Sequence, residues 1–149
     1  QINREIVRLG KYLPSIKSAS IVGGDSIEDQ IKMLKSNPPN IVVGTPGRIL
    51  DLVGKKHLDI SKLKFFVLDE CDVILEQIDM RKDIQKIFTE TPQDKQVMMF
   101  SATMSGDTKK VCRKFMQNQE EIFIDDEAKL TLHGLVQYYV NIKEEEKSK

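Results

Sequence analysis

The sequence predicts an α/β fold, a mostly parallel sheet flanked by helices on both faces. Three observations carry this reading. Short apolar runs, Ile41-Val42-Val43, Phe65-Phe66-Val67-Leu68 and Val97-Met98-Met99-Phe100, read as strands, the first two with the continuous composition of strands buried on both faces. Between them lie segments with apolar residues at three- and four-residue spacing, the period of a helix. These connections are long enough for crossovers, which makes the strands they join parallel.

The elements follow in order. Ile2, Ile6, Leu9 and Leu13 give an opening helix packed by one face and stopped at Pro14. A strand over 19–22 is closed by Gly23 and Gly24. Ser26 is the expected N-cap of the next helix, with Asp29 three residues on as a weaker relative of the capping box. Ile27, Ile31 and Leu34 form its apolar stripe, and Asn37-Pro38-Pro39-Asn40 ends it. After the strand at 41–43, Thr45 and Pro46 open a helix carrying Ile49, Leu50 and Val53. The strand at 65–68 leads into helical patterns through Leu75 and then through Met80, Ile84, Ile87 and Phe88, stopped by Thr91 and Pro92. A strand at 97–100 precedes a helix with Val111, Cys112, Phe115 and Met116 on one side, and a last strand is expected at 122–124. Residues 125–134 read as a linker, 135–142 as an extended segment, and the terminal KEEEKSK as solvated.

At 149 residues, with 40% hydrophobic and 31% charged, the chain has the composition of one packed domain. Lys plus Arg number 23 and Asp plus Glu 23, so no bulk field draws in a polyanion or an anionic membrane. Any nucleic-acid contact must therefore come from local geometry. Two cysteines, Cys71 and Cys112, are too few for a disulfide framework and suit a reducing compartment. No apolar run approaches the roughly 18 residues of a membrane span, and the opening residues lack a signal-peptide core, so the expectation is an intracellular protein without membrane contact. The start at Gln1, inside an amphipathic pattern, suggests an excised piece of a longer protein.

Ligands of parallel sheets bind beyond the carboxyl ends of the strands. Four such corners stand out: Gly23-Gly24, Thr45-Pro46-Gly47-Arg48, Asp69-Glu70-Cys71-Asp72 and Ser101-Ala102-Thr103. In one parallel sheet all four would share a rim. Four apolar residues followed by Asp69-Glu70 form a Walker B pattern, in which an aspartate holds Mg²⁺ through its water shell and a neighbouring acid activates water. Solvated acids capping the next helix are the alternative; Asp72 weighs against it, because a third carboxylate adds repulsion that cations or donors must offset. Thr45 as N-cap, Pro46 at the first helical position, Gly47 for close approach and Arg48 in the first turn suit a phosphate, although a well-capped helix with a surface arginine has the same residues. Gly23-Gly24 admits a sugar-phosphate backbone or simply makes a turn. The hydroxyls of Ser101 and Thr103, around small Ala102, reach a neighbouring carboxylate or cap a helix. His57 and His133 lack a second ligand at metal spacing. Cys112 reads as core, Cys71 is no nucleophile beside three carboxylates, and Tyr138 and Tyr139 fit strand packing better than base stacking.

The order and spacing of GG, TPGR, DECD and SAT closely resemble the first RecA-like domain of DEAD-box RNA helicases. The flank DECDVILEQIDMRKDIQKIF, together with QVMMFSATMS, VCRKFMQ and EIFIDDEAKLTLHGLVQYYV, resembles the DECD branch, nuclear helicases of pre-mRNA splicing and mRNA export. The resemblance covers almost the whole chain and disfavours a translation-initiation branch. It implies that Asp69 is the Mg²⁺-associated acid, that Glu70 activates water for ATP hydrolysis, and that Asp72 partners the SAT segment. Ser101, Ala102 and Thr103 would couple nucleotide state to RNA, and Gly23, Gly24, Thr45, Pro46, Gly47 and Arg48 would grip the RNA backbone. Val73 departs from the charged residue more usual there.

The 149 residues contain no GxxxxGK[ST] phosphate loop; Gly10-Lys11 and Gly54-Lys55 lack its other residues. The resemblance places that loop upstream, on a central strand, and the arginine finger and second RecA-like domain downstream. The strands present would then border an unfilled slot, and the piece alone would be inactive. It implies residues 1–126 as the carboxyl-terminal portion of domain 1 and 127–149 as the connection to the second. Implied partners are single-stranded RNA or a short duplex, the second RecA-like domain, and splicing and export factors, with ATP and Mg²⁺ as cofactors in a nuclear enzyme. The competing expectation is a non-catalytic α/β module that binds RNA or protein and keeps a relic acidic corner.

Overall fold

The computed structural model describes residues 1–123, 136 and 138–141. It divides into two units, Gln1–Asn118 and Gln119–Lys149. All regular structure described here lies in the first. Its elements are α1 (Ile2–Leu9) with a 3-10 turn at Gly10–Tyr12, β1 (Ser18–Ile21), α2 (Ile27–Ser36), β2 (Ile41–Gly44), α3 (Pro46–Gly54), β3 (Phe65–Leu68), α4 (Cys71–Glu76), α5 (Ile78–Glu90), β4 (Gln96–Met99) and α6 (Gly106–Phe115).

The strands pair in parallel, as the crossover spacing requires. β1 pairs with β2, Ser18 facing Ile41 and Ile21 facing Gly44. β3 pairs with β4, Phe65 facing Gln96 and Leu68 facing Met99. These are two separate two-stranded sheets, with no ladder between β2 and β3 among the described residues. This corrects the expectation that all four corners hang from one continuous sheet.

Each pair has its own core. Ile21, Leu34 and Leu52 are buried together beside β1, with Ile27, Ile31, Val42 and Ile49 packed against them. The larger core gathers Phe66, Leu68, Cys71, Leu75, Ile84, Ile87, Cys112 and Phe115. Within it Phe88 meets Phe66 at 5.3 Å between ring centroids and Phe115 at 5.0 Å, both edge to face. Such pairs contribute about 1 kcal/mol each beyond area burial. Lys95 caps the stack with its ammonium 3.8 Å from the Phe88 centroid, and burial lowers its pKa. The backbones of β1 and β2 come close at Gly44, where a Cβ would lie 2.4 Å from the Ile21 carbonyl oxygen and 2.7 Å from Ile49. No side chain larger than hydrogen fits there without displacement.

Three expectations are corrected. The opening helix forms, but α1 buries no residue; Ile2, Val7 and Leu9 are exposed, and β1 is the strand it packs against. The strands are not buried on both faces: β3 alternates, with Phe66 and Leu68 inside and Phe65 and Val67 exposed, and β2 is half-buried. At 122–123 there is no strand; Ile122 and Phe123 are exposed coil, and Ile124 lies outside the described residues. The linker at 125–134, the extended segment at 135–142 apart from its five described positions, the terminal KEEEKSK, and the boundary at 126 also lie outside them.

Candidate functional site

Parallel pairing continues one step past the strands and draws the corners together two by two. On the first pair, the Thr45 amide donates to the Ile21 carbonyl at 3.1 Å, and the Gly23 amide donates to Thr45 Oγ1 at 3.3 Å. Thr45 occupies the N-cap position of α3, yet its side chain makes no capping bond. Its hydroxyl is turned to Gly23, so it does not occupy the first-turn N–H groups, which stay available to an anion at the positive end of the helix dipole. Pro46 starts the helix with the one residue that has no N–H to satisfy. Gly23, Gly24, Thr45 and Gly47 are exposed, and Gly24 takes φ +93°, a left-handed turn that favours glycine. Arg48 is half-buried and fixed through Nη1, which donates to the Asp25 carbonyl at 3.0 Å and to Gln30 Oε1 at 2.7 Å.

On the second pair, the Phe100 amide donates to the Leu68 carbonyl at 2.8 Å and the Cys71 amide to the Phe100 carbonyl at 3.0 Å. This seats the acidic corner directly beside the segment after β4. Asp69 and Glu70 are both exposed at the strand end. Glu70 is held at φ +49°, ψ +45°, a left-handed conformation rare for a non-glycine residue, and its amide donates to Asp69 Oδ1 at 3.0 Å. Strain of this kind persists where surrounding structure imposes it. Thr103 Oγ1 donates to Asp72 Oδ2, and Ser101 Oγ accepts from the Thr103 amide at 3.2 Å and donates to the Thr103 carbonyl. The Thr103 hydroxyl, with Ser101 second, holds the Asp72 carboxyl below the usual aspartate pKa. Ala102 is exposed between them.

Beneath this corner Cys71 and Cys112 are buried with their sulfurs 4.0 Å apart. Burial, reinforced by Cys112, pushes the Cys71 thiol up to about 12, in keeping with its reading as no nucleophile. A polar strut that sequence reasoning missed joins α6 to α4: buried Thr108 donates from Oγ1 to Glu76 Oε1 at 3.2 Å. Gln30 was missed as well, although its position on the stripe of Ile27, Ile31 and Leu34 marks it as a polar residue facing the core. Val73, Tyr138 and Tyr139 are exposed. His57 is half-buried, and His133 lies outside the described residues. No group of three or more His, Cys, Asp or Glu side chains is arranged to hold a metal ion among the described residues.

The structure therefore brings GG to TPGR and DECD to SAT. The two halves meet through α3 packed on α5, where a Cβ on Gly47 would lie 3.6 Å from Asp83 Oδ2.

Comparison with known proteins matches residues 1–111 to the DEAD/DEAH box helicase family. The chain is 59% identical over its whole length to the ATP-dependent RNA helicase WM6 of Drosophila melanogaster, and 56% identical to the human ATP-dependent RNA helicase DDX39A. It spans 35% of the length of each, about a third of these curated relatives. Among solved structures, Saccharomyces cerevisiae Dbp5 bound to RNA and ADP BeF3 superposes with a TM-score of 0.71 at 28% identity, over 83% of this chain and 30% of that one. A DEAD box protein from the hyperthermophile Methanococcus jannaschii gives a TM-score of 0.64 at 36% identity, over 78% and 33%.

Proposed function

The chain belongs to the DEAD/DEAH box helicase family, and from that premise we propose that it serves within an ATP-dependent RNA helicase of the DECD branch, with its fold a portion of a RecA-like domain. The observation that carries the proposal is the bond from Thr103 to Asp72, which joins the acidic corner to the SAT segment. The names of WM6 and DDX39A support the activity, and the RNA and nucleotide on Dbp5 support the ligand classes.

In this reading Gly23, Gly24, Thr45, Pro46, Gly47 and Arg48 grip the RNA backbone. Exposed glycines let phosphates approach the main chain, the start of α3 offers free N–H groups, and Arg48 offers a forked donor. None of these groups reads a base edge, so binding is tolerant of sequence and fits a single strand or a short duplex. Asp69 keeps one carboxylate oxygen for a metal-bound water while the other accepts from the Glu70 amide. Mg²⁺ typically keeps several waters and is bound through one or two carboxylates together with substrate phosphates, a role Asp69 can fill. When bound, Mg²⁺ supplies charge neutralisation for phosphoryl transfer. Glu70, lifted from the helix line by its left-handed backbone, orients and deprotonates the attacking water. Asp72, Ser101, Ala102 and Thr103 transmit the state of that corner to the RNA surface.

The phosphate loop and the second RecA-like domain are contributed by the rest of the helicase, and splicing and mRNA export factors in the nucleus set its cellular role. The test is RNA-stimulated ATP hydrolysis by the full-length helicase carrying Glu70→Gln. Turnover is expected to fall by roughly a hundredfold or more, the scale of a lost general base. Turnover near wild type would remove Glu70 from its role and favour the non-catalytic module.

A further inference from the structure

We propose that Gln30 is a positioning residue that presets Arg48 for phosphate and ties it to the Gly23-Gly24 turn; this rests on the assignment of TPGR to RNA binding. Gln30 is 6% exposed, and both ends of its amide are engaged. Nε2 donates to the Val22 carbonyl at 3.1 Å, and Oε1 accepts from Arg48 Nη1 at 2.7 Å. A carbonyl can only accept and a guanidinium can only donate, so these two partners fix the amide orientation. The bridge therefore spans from the backbone entering the Gly23-Gly24 turn to the side chain of the TPGR corner. Neither corner moves without the other.

A neutral amide suits this task better than a carboxylate. It orients the guanidinium while leaving the full positive charge for phosphate, whereas an acid in its place would neutralise that charge. The hydrogen bonds that hold Arg48 run through Nη1, which leaves Nε and Nη2 as donors for a ligand. Arginine is a rotamer-rich side chain, and fixing it beforehand removes part of the ordering penalty of binding.

The test measures affinity of the full-length helicase for a fluorescent oligouridine in four forms: wild type, Gln30→Met, Arg48→Ala and the double variant. Methionine keeps the length and removes both hydrogen bonds. Gln30→Met is expected to weaken RNA binding roughly fivefold, the scale of one unfixed side chain, with no further loss once Arg48 is alanine. The ATP KM at saturating RNA is expected to stay unchanged. Unaltered affinity for Gln30→Met, or an equal loss with and without Arg48, overturns the proposal. Should Arg48→Ala alone leave affinity intact, the RNA-binding reading of TPGR fails instead. If Gln30→Met does not fold, Gln30→Glu keeps the acceptor and adds charge; it is expected to reduce the salt slope of RNA binding by about one phosphate contact, and an unchanged slope overturns the proposal.

Discussion

Thr103 donates its hydroxyl proton to the Asp72 carboxylate across 31 residues of sequence, locking the loop after β4 onto the first turn of α4. The same bond holds the Asp72 carboxyl below its ordinary pKa. A carboxyl depressed in the folded state stabilises the fold above its unfolded value, about 3.9, and loses that contribution as pH falls through the folded value. The Tm of the full-length helicase with Thr103→Val is therefore expected below wild type at pH 7, with the gap closing as pH drops below about 4. A gap independent of pH would separate the Thr103 contribution from Asp72 ionisation.

Glu70 sits at φ +49°. Glycine has no penalty there, so Glu70→Gly should relieve about 1 kcal/mol of strain while abolishing hydrolysis. Glu70→Gln retains the strain and should leave Tm unchanged. Paired thermal melts and ATPase rates distinguish the two, and a fall in Tm for the glycine variant would argue that the conformation is unstrained.

Gly44→Ala should destabilise the β1–β2 pair by about 2 kcal/mol or more, because the added carbon meets the Ile21 carbonyl at 2.4 Å and Ile49 at 2.7 Å. Urea unfolding measures the loss. Gly54→Ala, with open space around its Cβ position, is the matched control and should lie within about 0.5 kcal/mol of wild type.

Cys71 and Cys112 are buried and both thiols are raised in pKa by burial, Cys71 to about 12. At pH 8 neither offers appreciable thiolate, so iodoacetamide should label them only as fast as the fold opens. Mass spectrometry of folded protein, set against protein in denaturant, reads the difference; equal labelling rates would contradict the burial.

The four corners were legible because their chemistry is local: a strand end followed by acids, by Thr-Pro-Gly-Arg or by paired hydroxyls is visible in a few consecutive residues. The strand at Phe65–Leu68 has the bounds the apolar run predicts, and Ser26 caps α2 through the Asp29 amide at 3.2 Å as its spacing implies. What depends on neighbours was not legible. An amphipathic stripe such as Ile2, Ile6 and Leu9 says which face of α1 is apolar and not what covers it. An apolar run such as 65–68 fits a fully buried strand equally well, although Phe65 and Val67 are exposed. Thr45 looks like a side-chain cap by position, but its hydroxyl serves Gly23, distant in sequence. Gln30 and Thr108 carried overlooked signals, polar side chains where the helical period calls for apolar ones.

The most direct test of the account measures ATP hydrolysis and duplex separation side by side in the full-length helicase carrying Thr103→Val. If the link from Thr103 to Asp72 couples the nucleotide corner to the RNA surface, strand separation falls at least about tenfold while RNA-stimulated hydrolysis stays within about threefold of wild type, a difference in transition-state stabilisation of roughly 1 kcal/mol or less for hydrolysis alone. Strand separation at the wild-type rate with that bond removed would contradict it.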